Sequence, residues 1–86
     1  MEMSKTIRKK RHRYPMPVFI RDALLERGLM EKYHGRPPYQ QNDYIGWITR
    51  AKRRETQEKR LAQMLDELDL GDKYMNMTYH PKRLGR

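Results

Sequence analysis

Tyr44, Trp47, Ile48 and Ala51 stand at i, i+3, i+4 and i+7, and Leu61, Met64, Leu65 and Leu68 repeat that spacing further along the chain. Each set makes one apolar stripe on a helix, so the stretch 42–70 predicts two amphipathic helices whose facing stripes supply the structural core. Between the stripes, Arg50, Lys52, Arg53, Arg54, Lys59 and Arg60 are opposed only by Glu55 and Glu58. Whatever the helices bury, their junction therefore shows a positive surface.

With 86 residues, 36% hydrophobic and 36% charged, the chain has material for a single core. The expected organisation is one helical domain over 14–80, a basic arm at 1–13 and a frayed tail at 81–86. The absence of cysteine excludes a disulfide framework and a thiolate zinc site, which leaves helix packing or self-association to hold the fold. A monomer or a weak homodimer fits that. No run approaches the roughly 20 apolar residues of a membrane span, and no apolar run of signal-peptide length follows the N-terminus, so the sequence predicts a cytoplasmic protein.

Twenty Lys and Arg against eleven Asp and Glu give a net charge of +9, which attracts polyanions: nucleic acids, anionic lipid headgroups or acidic protein faces. The distribution is uneven. Lys5, Arg8, Lys9, Lys10, Arg11 and Arg13 load the arm, and Lys82, Arg83 and Arg86 the tail, whereas Asp66, Glu67, Asp69 and Asp72 form an acidic cap. The arm has too few apolar side chains to offset the entropy of ordering and is expected to be disordered.

Tyr14-Pro15-Met16-Pro17 favours extended backbone and places Pro17 at the first turn of a helix that runs to Arg27 and stops at Gly28. Leu29 to His34 suggests a further short turn with Leu29, Met30 and Tyr33 inward. Arg36-Pro37-Pro38-Tyr39 reads as a helix break, after which Asn42 is a favourable N-cap for a helix over 43–52. Gly46 inside that helix either marks the close approach of another backbone or is simply tolerated. A third long helix should run from Arg54 or Glu55 to Leu70 with Gly71 as its C-cap, and residues 72–79 should pack back in extended form. The fold class is thus all-α: a small three- to four-helix bundle with a disordered basic arm and an extended C-terminal tail.

The run WITRAKRRETQEKRL resembles the signature of the YdeI/OmpD-associated family of small bacterial proteins, also labelled bacteriocin-protection proteins. The matching positions are Trp47, Ile48, Ala51, Lys52, Thr56 and Arg60. Gln57 stands where the family often has Arg, which weakens an anion site carried over from it, and Arg54 stands where several members have Pro, which softens the break between helices. The resemblance implies no established reaction. It implies an association with antimicrobial-peptide tolerance and with a porin partner.

Catalysis finds little support in the residues: Ser4 lies in the arm, there is no cysteine, and His12, His34 and His80 lack ligand spacing. The chain reads as a non-enzyme without cofactor or metal. The candidate anion- or partner-binding residues are Arg50, Lys52, Arg53, Arg54, Thr56, Lys59 and Arg60. Their ligand is either a protein partner, as the resemblance implies, or nucleic acid held through its phosphates. Direct capture of cationic peptides conflicts with the net charge, except at the acidic cap.

Overall fold

The computed structural model describes residues 13–79 and, within them, four helices and a hairpin: α1 (Val18–Glu26), α2 (Met30–His34), α3 (Pro38–Arg50), α4 (Arg54–Leu70), β1 (Lys73–Tyr74) and β2 (Met77–Thr78). The chain is mostly helical, as its periodicity predicts. The expectations of a disordered arm and a frayed tail fall on residues 1–12 and 80–86, outside the described residues.

Pro17 sits at the N-cap of α1 and its carbonyl accepts from Ile20 and Arg21 N–H at 3.2 and 3.1 Å. The other end closes as a Schellman motif: Leu29 N–H returns to Leu24 O (2.8 Å), Gly28 N–H to Leu25 O (3.1 Å), and Gly28 takes φ +67. The accompanying apolar contact is made by Leu24 and Leu29, both buried. This turn sends α2 back under α1 and points Tyr33 into the core.

The Pro37-Pro38 pair starts α3 instead of breaking a helix. Pro37 in extended conformation accepts Gln40 and Gln41 N–H at 2.9 and 3.1 Å, and Pro38 occupies the first helical position, where its missing N–H leaves no vacancy in the ladder. Asn42 consequently lies inside the helix, not at its cap, and its Oδ1 accepts the backbone N–H of Tyr14 at 2.8 Å. α3 ends at Arg50, two residues before the expected boundary. α4 has the predicted span, closed by Gly71 at φ +88 with its N–H on Glu67 O at 2.8 Å.

Ile20, Leu24, Leu29, Tyr33, Tyr44, Ile45, Ile48, Met64, Leu65 and Leu68 form the core, with Ala51 buried beside the α3–α4 turn. Two residues of the predicted stripes, Trp47 and Leu61, are only partly buried at its edge. Truncation at the edge removes less than truncation at the centre: Trp47→Ala is expected to cost about 2 kcal/mol, below the roughly 3–5 kcal/mol of a fully buried Trp. Urea denaturation followed by circular dichroism measures it. A loss above about 4 kcal/mol would restore a central role.

Gly46 does mark a close approach, by a side chain and not by backbone. A Cβ there would lie 2.6 Å from Cε2 of Tyr14 and 2.9 Å from its Cδ2 and Cζ. The segment before α1 is thereby strapped along α3, by Tyr14 N–H at Asn42, the Tyr14 ring over Gly46 and the Tyr14 hydroxyl accepting from Arg50 Nη1 at 3.4 Å. Gly46→Ala is expected to destabilise by about 1 kcal/mol, because displacing the ring outweighs the helix propensity gained. In a Tyr14→Ala background the same substitution should stabilise by about 1 kcal/mol. A double-mutant cycle that shows no such reversal removes this account.

Beyond Gly71 the chain forms a hairpin instead of a simple extended tail. Lys73 pairs with Thr78 and Tyr74 with Met77, and the two turn residues Met75 and Asn76 have φ +52 and +68, the signs a type I′ turn requires. The Tyr74 hydroxyl donates to Asp43 Oδ2 at 2.8 Å and its ring meets those of Tyr44 and Tyr39 edge-on. The hairpin thus covers the side of α3 where Asp43 and Tyr44 face it.

Candidate functional site: the basic helix junction

The α3–α4 turn is short because its polar groups are closed from both sides. Ala51 N–H reaches Ile48 O at 3.3 Å, the Gln57 side-chain amide donates to Ala51 O at 3.0 Å, and Gln57 N–H to Arg53 O at 3.0 Å. Gln57 therefore locks the turn where an arginine would have offered charge, and the break remains sharp although Arg54 opens α4. Arg60 turns inward: its Nη1 donates to Trp47 O at 2.6 Å and its guanidinium carbon lies 5.3 Å from the Trp47 ring centroid. It satisfies a carbonyl of the last turn of α3 and lies over the indole, so neither group is free for a ligand.

The remaining candidates divide by what already holds them. Arg54 pairs with Glu58 at 3.6 Å, Arg50 donates to the Tyr14 hydroxyl, and Thr56 is half-buried in the first turn of α4. Lys52, Arg53 and Lys59 are exposed and make no ion pair with any described residue. Arg53 at the N-cap of α4 makes no side-chain capping bond, so the first-turn N–H groups add their partial positive charge to the same end. The arrangement can hold an anion. Among the described residues no group of three or more His, Cys, Asp or Glu could hold a metal ion.

Sequence reasoning missed a second polar centre, buried between α2, α3, α4 and the hairpin. Arg36 donates through Nη1 to Gln40 Oε1 (3.0 Å) and through Nη2 to Glu67 O (3.0 Å) and Lys73 O (2.8 Å), with its guanidinium carbon 4.9 Å from the Tyr79 ring centroid. The Glu67 carboxylate accepts from Tyr44 Oη (2.5 Å), Met75 N–H (2.8 Å), Asn76 N–H (2.8 Å) and Gln63 Nε2 (3.0 Å). Glu67, expected in the solvated acidic cap, is thus an internal residue, while Asp66, Asp69 and Asp72 stay exposed. The signal was available: Glu67 is three residues from Met64 and next to Leu68, on the flank of the buried stripe. The Arg36 guanidinium and the Glu67 carboxylate are both held by protein partners, which makes this centre a structural clasp.

An open cleft of about 610 Å³ lies between the Tyr14 strap, Tyr33 and the first turns of α3, lined also by Arg13, Pro38, Tyr39, Gln41 and Asn42. Burial pushes the Tyr33 hydroxyl up to about 12, and that hydroxyl donates to Gln41 O at 3.3 Å. It is a fixed neutral donor.

The bacteriocin-protection, YdeI or OmpD-associated family model matches residues 13–71, from the strap to the Gly71 cap. No curated protein and no solved structure matches the chain significantly.

Proposed function

We propose, from the premise that the chain belongs to the bacteriocin-protection, YdeI or OmpD-associated family, that it is a non-enzymatic interaction module presenting its basic helix junction to an acidic surface of a partner protein. The observation that carries this reading is that Lys52 and Arg53, on a turn that Gln57 and Arg60 tie down by hydrogen bonds, and Lys59 in the second turn of α4 stay exposed and make no ion pair among the described residues. A preformed cationic surface loses little entropy on docking and speeds encounter with an acidic face. The family name suggests a role in tolerance of antimicrobial peptides. Because like charges repel, that role is indirect, through the partner.

A second reading, nucleic acid, draws on the same cations beside the uncapped N-terminus of α4. Affinity capture from the native cell at about 0.15 M salt, where a diffuse basic surface is largely screened, separates the two. The first reading expects a protein retained after nuclease treatment and lost with Lys52→Glu/Arg53→Glu. Retention by that variant would overturn it. If nuclease abolishes capture, fluorescence anisotropy should show affinity falling linearly with log salt, and Lys52→Ala/Arg53→Ala should make the slope shallower by about one unit per lost contact.

A further inference from the structure

The cleft beside the first turn of α3 has features that neither the clasp nor the basic junction uses. Tyr14, Tyr33, Pro38 and Tyr39 set their rings around a volume of about 610 Å³, with Gln41, Asn42 and Arg13 completing the lining. A cavity of that size takes a ligand of a few rings, held by apolar faces and a small number of polar groups. Arg13 is exposed and makes no ion pair with any described residue, and among the described residues no acid lines the cleft. The Tyr33 ring is fixed, its hydroxyl donating to Gln41 O at 3.3 Å. Tyr39, 46% exposed, accepts from Gln40 Nε2 at 3.1 Å, and nothing among the described residues accepts its own proton.

We infer that this cleft binds a small planar aromatic anion, with its ring against the tyrosine faces and its phosphate or carboxylate on the Arg13 guanidinium. Aromatic side chains stack on any planar ring, so the charge is what selects. Tyrosine faces alone would suit a cation. A guanidinium among them, with no acid beside it, reverses that preference. An extended peptide is disfavoured because the main chain around the cleft is already committed: Pro38 has no N–H, the Gln40 and Gln41 N–H groups return to Pro37 O, Gln41 O accepts from Tyr33, and the Tyr14 N–H goes to Asn42. The cleft opens at the start of α3 and the basic junction lies past its end, so the inference stands independently of the function proposed for the junction.

The test is a titration of the full chain, followed by amide chemical shifts, with adenosine monophosphate and with indoleacetate, both planar and differing in their anion. Saturable binding of at least one is expected, with shifts at the Tyr33, Tyr39, Gln41 and Asn42 amides, and which of them binds more tightly tells a phosphate ligand from a carboxylate. The uncharged adenosine and indole should bind about tenfold more weakly, and inorganic phosphate and acetate, which have no ring, more weakly still. Arg13→Gln should weaken the anion about tenfold and leave the binding of the uncharged ring unchanged, a split that a damaged fold cannot produce. Tyr39→Ala should weaken both about tenfold, and Tyr39→Phe, which keeps the ring, only about threefold. Circular dichroism checks the fold, and if Tyr39→Ala unfolds, Arg13→Gln decides. Lys52→Ala/Arg53→Ala should leave binding as it is. Saturation by neither anion, equal affinity for charged and uncharged rings, indifference to Arg13→Gln or to a folded Tyr39→Ala variant, or loss of binding with Lys52→Ala/Arg53→Ala would each overturn the inference.

Discussion

Replacing Glu67 with Ala is expected to lower the unfolding free energy by about 3 to 5 kcal/mol, a large share of what a small domain has. Glu67 is 4% exposed and its carboxylate gathers four donors from three parts of the fold: Gln63 on its own helix, Tyr44 on α3, and both N–H groups of the Met75-Asn76 turn. Alanine strands the Tyr44 hydroxyl in the core. It also frees a turn whose two residues both sit at positive φ, a conformation that Asn76 tolerates but that a residue such as Met75 rarely adopts. Glu67→Gln keeps the shape but turns one acceptor into a donor, and should cost about half as much. Urea unfolding gives both numbers, and a loss under about 1 kcal/mol for the alanine variant would show that the turn does not depend on this carboxylate.

The same residue sets a pH dependence. Burial alone would raise its pKa, but hydrogen bonds from Tyr44, from the Asn76 and Met75 backbone and from Gln63 outweigh burial and hold it below the ordinary carboxylate value. The unfolded chain therefore takes up this proton more readily than the folded one. The stability it contributes is complete above the unfolded pKa of about 4.3 and disappears as pH falls through the folded value. Tyr44→Phe removes one of those donors, so its acid unfolding should begin at higher pH than that of the wild type. The Tyr44 hydroxyl, raised first by burial and then by its bond to Glu67, stays protonated throughout this range.

What the sequence made legible follows from how local each signal is. The Schellman glycine at 28, the cap at Gly71 and the stripe of α4 depend on neighbours within one helical turn, and those elements have their predicted places. The start of α3 was misplaced because Pro37-Pro38 supports two local outcomes, a break or an N-terminus, and what decides between them is where Arg36 and Tyr33 must go. Trp47 reads as core by spacing alone, since spacing does not show that α3 ends one turn later and leaves the ring at the rim under Arg60. The clasp was the least legible part. Arg36 and Gln40 carry no periodic signal of burial, and the place of Glu67 on the flank of the buried stripe shows only that it turns inward; the meeting of α2, α4 and the hairpin gives all three their partners.

Arg36→Leu carries the second large effect, an expected loss of about 3 kcal/mol, with the hairpin released before the helices. Arg36 is 6% exposed and its fork spans three acceptors, on α3, at the end of α4 and on β1, which no other side chain among the described residues connects. Leucine fills much of the space but leaves the Gln40 side-chain oxygen and the Glu67 and Lys73 carbonyls short of a donor. Arg36→Lys keeps the charge yet presents a single point in place of a planar fork, so it should recover less than half of the loss. Native-state hydrogen exchange locates the damage: the Tyr79 amide, bonded to Asp72 O at 2.8 Å, and the Met75 and Asn76 amides should lose protection while the centre of α4 keeps it. Because Arg36 and Glu67 hold the same hairpin, the double variant Arg36→Leu/Glu67→Ala should cost less than the two single losses added together. Strict additivity would mean that the guanidinium and the carboxylate act on separate parts of the fold and that there is no single clasp.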